Sequence, residues 1–274
     1  MLEKNFNKDY KIYDCITFFQ ENFITNVRFE ILNDIVDYFV ICESIYDHRG
    51  KKKKLNFKLL NEKFRSKIIY IVYQEEFTGQ DLWENQAQQR EYIFEGLKSA
   101  NDNDHIMFSD PDEIPNPDKL RSLNLQNKYG IFLQDCFCYK VNLFNKYESP
   151  WEGTKICKMK NLKSINRMRQ DIKAKNLKYK FYRIDKEKDI QLINDGGWHF
   201  NNLMSPQDIS IKLKTFAHSE YAGEEFSSVN IINEKIKKKI DLFNRGHTYE
   251  VVNLGKSFPN YILNNLDKFK EYIA

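Results

Sequence analysis

The sequence predicts an α/β protein with a mostly parallel central sheet flanked by helices. Apolar, strand-like runs alternate with amphipathic stretches from residue 10 to residue 109. An acidic turn, FSDPDEIP at residues 108–115, closes the fourth such run. No Gly-, Pro- or Ser-rich linker breaks the 274 residues, so a single domain with an elaborated C-terminal half is expected.

The elements follow in order. YKIYDCITFF, residues 10–19, is the first strand. Residues 21–39 carry Ile24, Val27, Ile31 and Ile35 at helical spacing and predict an amphipathic helix. FVICES, residues 39–44, is a short continuous apolar strand, as a sheet buried on both faces requires. A polar loop with four lysines at 51–54 reads as solvated or as facing a polyanion or an anionic membrane. KLLNEKFRS is a short helix and KIIYIVY, residues 67–73, the third strand. WENQAQQREYIFEGLKSAN is a helix and DHIMFS the fourth strand. Strands joined by helices imply right-handed crossovers.

The second half is less regular. Asn116-Pro117 opens a short helix as N-cap and first helical residue. Residues 129–144 predict one long strand or a hairpin. A basic stretch at 155–180 is a solvated or phosphate-facing surface. INDGGWHF, residues 193–200, is a strand with a Gly-Gly break. Ser205, Pro206 and Asp208 start another helix, and the C-terminal residues form a last one.

Composition narrows the function. Hydrophobic residues make up 41 %, enough for a core without disulfides. The net charge of +4, from 43 basic and 39 acidic residues, is too even for a nucleic-acid partner. Of the five cysteines, Cys15, Cys42 and Cys136 lie in apolar strand-like runs and read as reduced core residues, and the Cys136-x-Cys138 pair lacks partners for a zinc set. The polar start shows no signal peptide, and no apolar run is long enough to span a membrane. The reading is a cytoplasmic protein, with room for peripheral membrane contact.

The acidic turn carries the chemistry. Asp110 and Asp112 are separated by one residue, so in extended chain their carboxylates point the same way. Two converging carboxylates do not both stay ionised cheaply unless a cation joins them. A hard divalent cation, Mg²⁺ or Mn²⁺, suits oxygen ligands and would bridge to a diphosphate. A plain acidic cap on the next helix is the competing reading.

The chain resembles glycosyltransferase family 17. The pieces that carry the resemblance are YDCITFFQE, DIVDYFVICES, WENQAQQR, SDPDEIP, and DGGWHF followed by KLKTFAHSE. It implies a GT-A fold, with residues 10–115 as a nucleotide-binding half and 116–274 as an acceptor-binding half. It also implies a UDP-sugar donor, UDP-GlcNAc above others, a glycan acceptor, a divalent metal and an inverting transfer. The missing membrane anchor suggests a bacterial or viral member. By the same resemblance Asp110 lies near the ribose or metal, Asp112 ligates the metal, and His218 adds a ligand. Glu113 braces the turn. Arg90, Glu43 and Phe18 are expected around the nucleotide, and Trp198 and His199 at the sugar or diphosphate. The general base is expected at Asp195, with Glu220 as its rival. A non-catalytic carbohydrate-binding protein and a metal-dependent phosphohydrolase are the competing functions, although the first strand lacks the Gly-rich loop a phosphate-binding hydrolase would show.

Overall fold

The computed structural model describes residues 8–215 and 219–274. Its N-terminal part runs β1 (Ile12–Phe18), α1 (Asn22–Leu32), β2 (Tyr38–Ser44), β3 (Ile68–Tyr73), α2 (Leu82–Glu91) and β4 (His105–Ser109). These strands lie in the order β4-β1-β2-β3, all parallel. Residues alternate across β1 between two cores. Ile12, Ile16 and Phe18 pack with Phe29, Leu32 and Phe39. Tyr13 and Cys15 pack with Val40, Cys42, Ile93 and Leu97. All five cysteines are buried and free.

Helix α1 ends at Leu32 rather than at residue 39. The amides of Ile35 and Val36 both turn back to the Leu32 carbonyl. The Asp37 carboxylate then accepts from Ile12 N at 2.7 Å and from Lys8 Nζ at 2.5 Å, which draws the chain down beside β1. The expected helix after β3 is likewise divided, with α2 giving way to a 3₁₀ segment at Tyr92–Leu97.

Beyond β4 the chain adds β5 (Glu113–Pro115), α3 (Pro117–Arg121), β6 (Tyr129–Cys138), β7 (Leu143–Phe144), β8 (Trp151–Lys158), α4 (Ile165–Asp171), β9 (Ile190–Ile193), β10 (Gly197–Asn201), α5 (Pro206–Thr215) and β11 (Glu250–Val251). Here the sheet is mixed. β8 lies antiparallel between β4 and β6, while β9 and β10 run parallel to β6. The 129–144 segment is a hairpin closed by Phe137 opposite Phe144. The 193–200 segment is not one strand: the chain breaks at Asp195, which adopts φ +50°, and re-enters as β10.

One buried ion pair fixes the floor. Arg28 of α1 donates Nε and Nη2 to the Asp14 carboxylate of β1, each at 2.6 Å. It also reaches Ser109 Oγ at 2.7 Å and the Glu113 carbonyl at 2.6 Å. Both charged side chains are sealed from solvent, at 0 % and 1 % exposure. Such a pair stands only because every donor has a partner, and removing one member leaves a bare buried charge. Arg28→Met is expected to cost about 3–5 kcal/mol of unfolding free energy. Urea denaturation measures it, and Arg28→Met with Asp14→Leu should recover part of the loss.

Candidate active site

The acidic turn is held from two sides. Glu113 is fully buried. It accepts from Arg169 Nη1 and Nη2 at 3.0 and 2.7 Å, from Trp151 Nε1 at 2.6 Å, and from the Asp110 amide at 3.2 Å. The same Arg169, from α4, reaches Asp110 Oδ2 at 2.7 Å. Arg90 Nη2 stands 4.0 Å from the other Asp110 oxygen. Burial alone would raise the Asp110 carboxyl, but the charges of Arg169 and Arg90 outweigh it and hold the group at about 2.

Asp112 differs. Its carboxyl is raised by burial, and Lys212 and His199 only partly oppose this. His199 Nε2 is 3.7 Å from Oδ1 and Lys212 Nζ 3.7 Å from Oδ2, both beyond hydrogen-bond range. The register brings these groups together. β10 lies antiparallel to β5 with His199 opposite Glu113, and Phe200 N donates to the Asp112 carbonyl at 2.8 Å. The Trp151 ring packs on His199 at 4.9 Å between centroids.

These residues open into a cleft of about 790 Å³. Phe18 and Phe19 from the end of β1 form one wall, Gln86, Gln89 and Arg90 of α2 another. Lys155, Arg169, His199 and Lys212 complete it with Asp110 and Asp112. It therefore lies past the carboxyl ends of parallel strands β1 and β4, as open α/β sheets favour. Burial pushes Arg90 down to about 10 and Lys155 down to about 7. Arg90 Nη1 donates to Asn166 Oδ1 at 3.0 Å, while its buried Nε has no hydrogen-bond partner among the described residues.

Of the residues expected at the site, Phe18, Arg90, Asp110, Asp112 and His199 meet here. Others do not. Glu43 is fully buried below the cleft, bound to Tyr70 Oη at 2.8 Å, Lys53 Nζ at 2.6 Å, and the amides of Asn56 and Phe57. It shapes the 53–57 loop and has no oxygen to spare for a nucleotide. Trp198 points to the face opposite His199, as strand alternation demands, and donates to the Ser257 carbonyl at 2.9 Å within the core. Asp195 is 83 % exposed and pairs with Lys119 at 3.3 Å, away from the cleft. Glu220 is exposed on the 3₁₀ turn Ser219–Tyr221 and does not line the cleft. His218 lies outside the described residues.

Arg169, Lys212 and Glu152 line the cleft without having been expected there. Arg169 sits inside the basic stretch at 155–180, and that clustering was its one visible signal. Lys212 opens KLKTFAHSE, one of the stretches that carry the family resemblance, but its partner Asp112 is a hundred residues back in the chain, so its place in the cleft was not expected.

The donors at the acidic turn suit a hard cation. Asp112 Oδ1 and His199 Nε2 face each other at 3.7 Å, and among the described residues no donor lies within 3.5 Å of the Asp112 carboxylate in hydrogen-bond geometry. That leaves an oxygen and a nitrogen ligand for Mn²⁺ or Mg²⁺, which commonly take only one or two protein ligands beside substrate phosphates. The pair fits. Cys136, Cys138 and Glu148 also lie within 4.8 Å of one another. There the Asn145 amide already donates to Glu148 at 2.7 Å and to Cys138 Sγ at 3.6 Å.

Comparison with known proteins adds the following. The model of glycosyltransferase family 17 matches residues 3–272. The β-1,4-mannosyl-glycoprotein 4-β-N-acetylglucosaminyltransferases of Mus musculus and Rattus norvegicus are each 23 % identical over 95 % of this chain and 54 % of their own length. The Homo sapiens protein of that name is 23 % identical over 94 % of this chain and 54 % of its own. The chain thus spans about half the length of the curated relatives it matches. Among solved structures, glucosyl-3-phosphoglycerate synthase from Mycobacterium tuberculosis, crystallised with Mn²⁺, UDP-glucose and phosphoglyceric acid, is similar at 12 % identity and TM-score 0.40, covering 93 % of this chain and 91 % of that one. A superposition that loose carries no argument about the site.

The expected cytoplasmic, bacterial or viral setting is corrected by these relatives, which are mouse, rat and human proteins. Since the chain spans only about half of each, its polar start does not bear on location. Among the described residues no helix is long and apolar enough to cross a membrane.

The Asp110 pairing has a measurable sign. Its folded value of about 2 lies below that of an unfolded aspartate, near 4. Between the two the unfolded chain binds more protons, so the stabilisation is present above about pH 4 and lost as pH falls toward about 2. The acid limb of a urea-stability profile of the metal-free protein should flatten in Asp110→Asn.

Proposed function

Because the chain belongs to glycosyltransferase family 17, we propose that it moves N-acetylglucosamine from UDP-GlcNAc onto a glycan acceptor, with metal assistance and inversion, in one GT-A-type domain. The observation that supports this most is the pairing of Asp112 with His199 in a cleft that Arg90, Arg169 and Lys212 also line.

Asp112 and His199 would hold Mn²⁺ or Mg²⁺, with Asp110 beside them. When bound, the ion supplies neutralising charge for a leaving diphosphate. Lys212 and Arg90 meet the diphosphate oxygens, the guanidinium by a fork that matches oxyanions. Phe19 takes the flat face of the uracil, backed by Phe18, whose ring packs in the core. Arg169 keeps Asp110 ionised and the turn in place.

The base must come from the cleft. Glu21 accepts from the amides of Phe19 and Gln20, Asp47 from those of Arg49 and Lys51, and Glu148 from Arg245 and Asn145. Glu152, which lines the cleft, accepts among the described residues from Ala174 N alone, at 3.0 Å through Oε2. We assign it to take the acceptor's hydroxyl proton as that oxygen attacks the anomeric carbon and the C–O bond to UDP breaks.

Calorimetry with UDP and UDP-GlcNAc, with and without Mn²⁺, tests the donor half. Manganese-dependent binding that disappears in Asp112→Ala is expected, and no nucleotide binding under any metal condition would overturn the reading. For the base, Glu152→Gln should lower kcat by about 10²–10⁴ with UDP affinity unchanged. Equal turnover in the variant would remove Glu152 from the role.

A further inference from the structure

The chain segment after α4 rises into a tip that the cleft does not use. Residues 173–188 carry seven lysines and arginines against two carboxylates. At their centre Phe181 is 89 % exposed, Ile184 93 % and Tyr182 60 %. Large apolar side chains clustered and bare in this way mark contact surfaces more often than idle ones.

The exposure does not come from missing structure. A 3₁₀ turn, Ala174–Lys178, opens the segment, and Asn176 Nδ2 ties it to the Asp171 carbonyl at 2.7 Å. Lys188 Nζ donates to the carbonyls of Lys180 and Phe181 at 2.7 and 3.2 Å, which pins the returning arm to the outgoing one. Arg183 N and Ile184 N close turns onto the carbonyls of Lys180 and Tyr182. The tip is folded, and folded with its apolar side chains outward.

Its charge is arranged as well. Both carboxylates are ion-paired, Asp185 beside Ile184 with Arg183 at 2.7 Å and Glu187 with Lys128 at 2.9 Å. Lys175, Lys178 and Lys180 stay exposed around the apolar residues.

We propose that this tip docks the chain on an anionic lipid surface. Phe181, Tyr182 and Ile184 enter the headgroup layer, where aromatic side chains partition well, and the lysines bind lipid phosphates. Charge complementarity selects this occupant. A second copy of the chain, meeting the same patch about a two-fold axis, would set lysine against lysine. A bilayer rich in anionic headgroups satisfies both the apolar and the cationic components at once. Gln170 and Lys173, at the foot of the segment, line the cleft, so docking holds the cleft beside that surface.

Flotation of the full chain with vesicles tests this and makes no use of transferase activity. Binding to phosphatidylcholine vesicles doped with phosphatidylserine is expected, with little to phosphatidylcholine alone. Phe181→Ala with Ile184→Ala should weaken it by roughly tenfold or more. Lys178→Gln with Lys180→Gln should weaken it comparably and reduce its salt dependence. Unchanged thermal unfolding in both variants ties the loss to the surface. Equal binding by the variants, equal binding to both vesicles, or no binding at all would overturn the proposal. So would a concentration-dependent dimer that the apolar variant abolishes while vesicles are ignored.

Discussion

The buried guanidinium of Arg28 sets the terms for everything above it. A charge with no solvent must find an acceptor for each of its donors, and here the acceptors come from three places in the chain: Asp14 on β1, Ser109 at the end of β4, and the main-chain carbonyl of Glu113. Helix α1 is thereby fastened to the two central strands and to the turn that follows them. Burial on this scale is weak evidence for stability, because the desolvation of both ions offsets most of their attraction. Its product is position. The main chain of the acidic turn is fixed from below by one arginine, while Arg169 grips its carboxylates from the other side.

The cleft that results is dense in charge of both signs. Desolvation acts against each ion separately, and the outcome depends on how closely the opposite charges approach. Asp110 has Arg169 at 2.7 Å and stays strongly acidic, while Asp112 has Lys212 at 3.7 Å and rises instead. An angstrom of separation therefore divides a carboxylate that is held fully ionised from one whose ion pair with Lys212 only partly offsets its burial. Arg90 is the mirror case, a buried cation whose nearest carboxylate oxygen is 4.0 Å away. A ligand that brought a cation to Asp112 and an anion to Arg90 would relieve both.

Much of this was legible in the chain. The strand–helix alternation through β4 follows from periodicity, and SDPDEIP declares itself by three carboxylates in four positions after an apolar run. His199 was legible too, and the alternation of β10 could have removed Trp198 at the same stroke, since adjacent strand residues cannot both face one cleft. Arg169 stood in a visible basic stretch and Lys212 in KLKTFAHSE, but their roles were not legible, because their partners lie far away in sequence and only the fold closes the distance. The length of α1 was overread: Ile35 continues the helical spacing, yet it is buried in a turn that Asp37 and the Leu32 carbonyl impose. Asp195 was misassigned for an instructive reason. The Gly-Gly pair does mark a close backbone approach, but the neighbour is main chain, not sugar.

That neighbour is β5. At Gly197 φ is +129°, and a Cβ there would stand 2.1 Å from the Ile114 carbonyl oxygen and 2.7 Å from Asn116 N. The strand carrying His199 can pair with the strand that follows Asp112 only because this position has no side chain. Two segments some eighty residues apart thus behave as one part, since neither can be remodelled unless the other is changed with it. An engineer grafting a new specificity onto this cleft would have to transplant residues 110–116 and 195–200 as a single cassette.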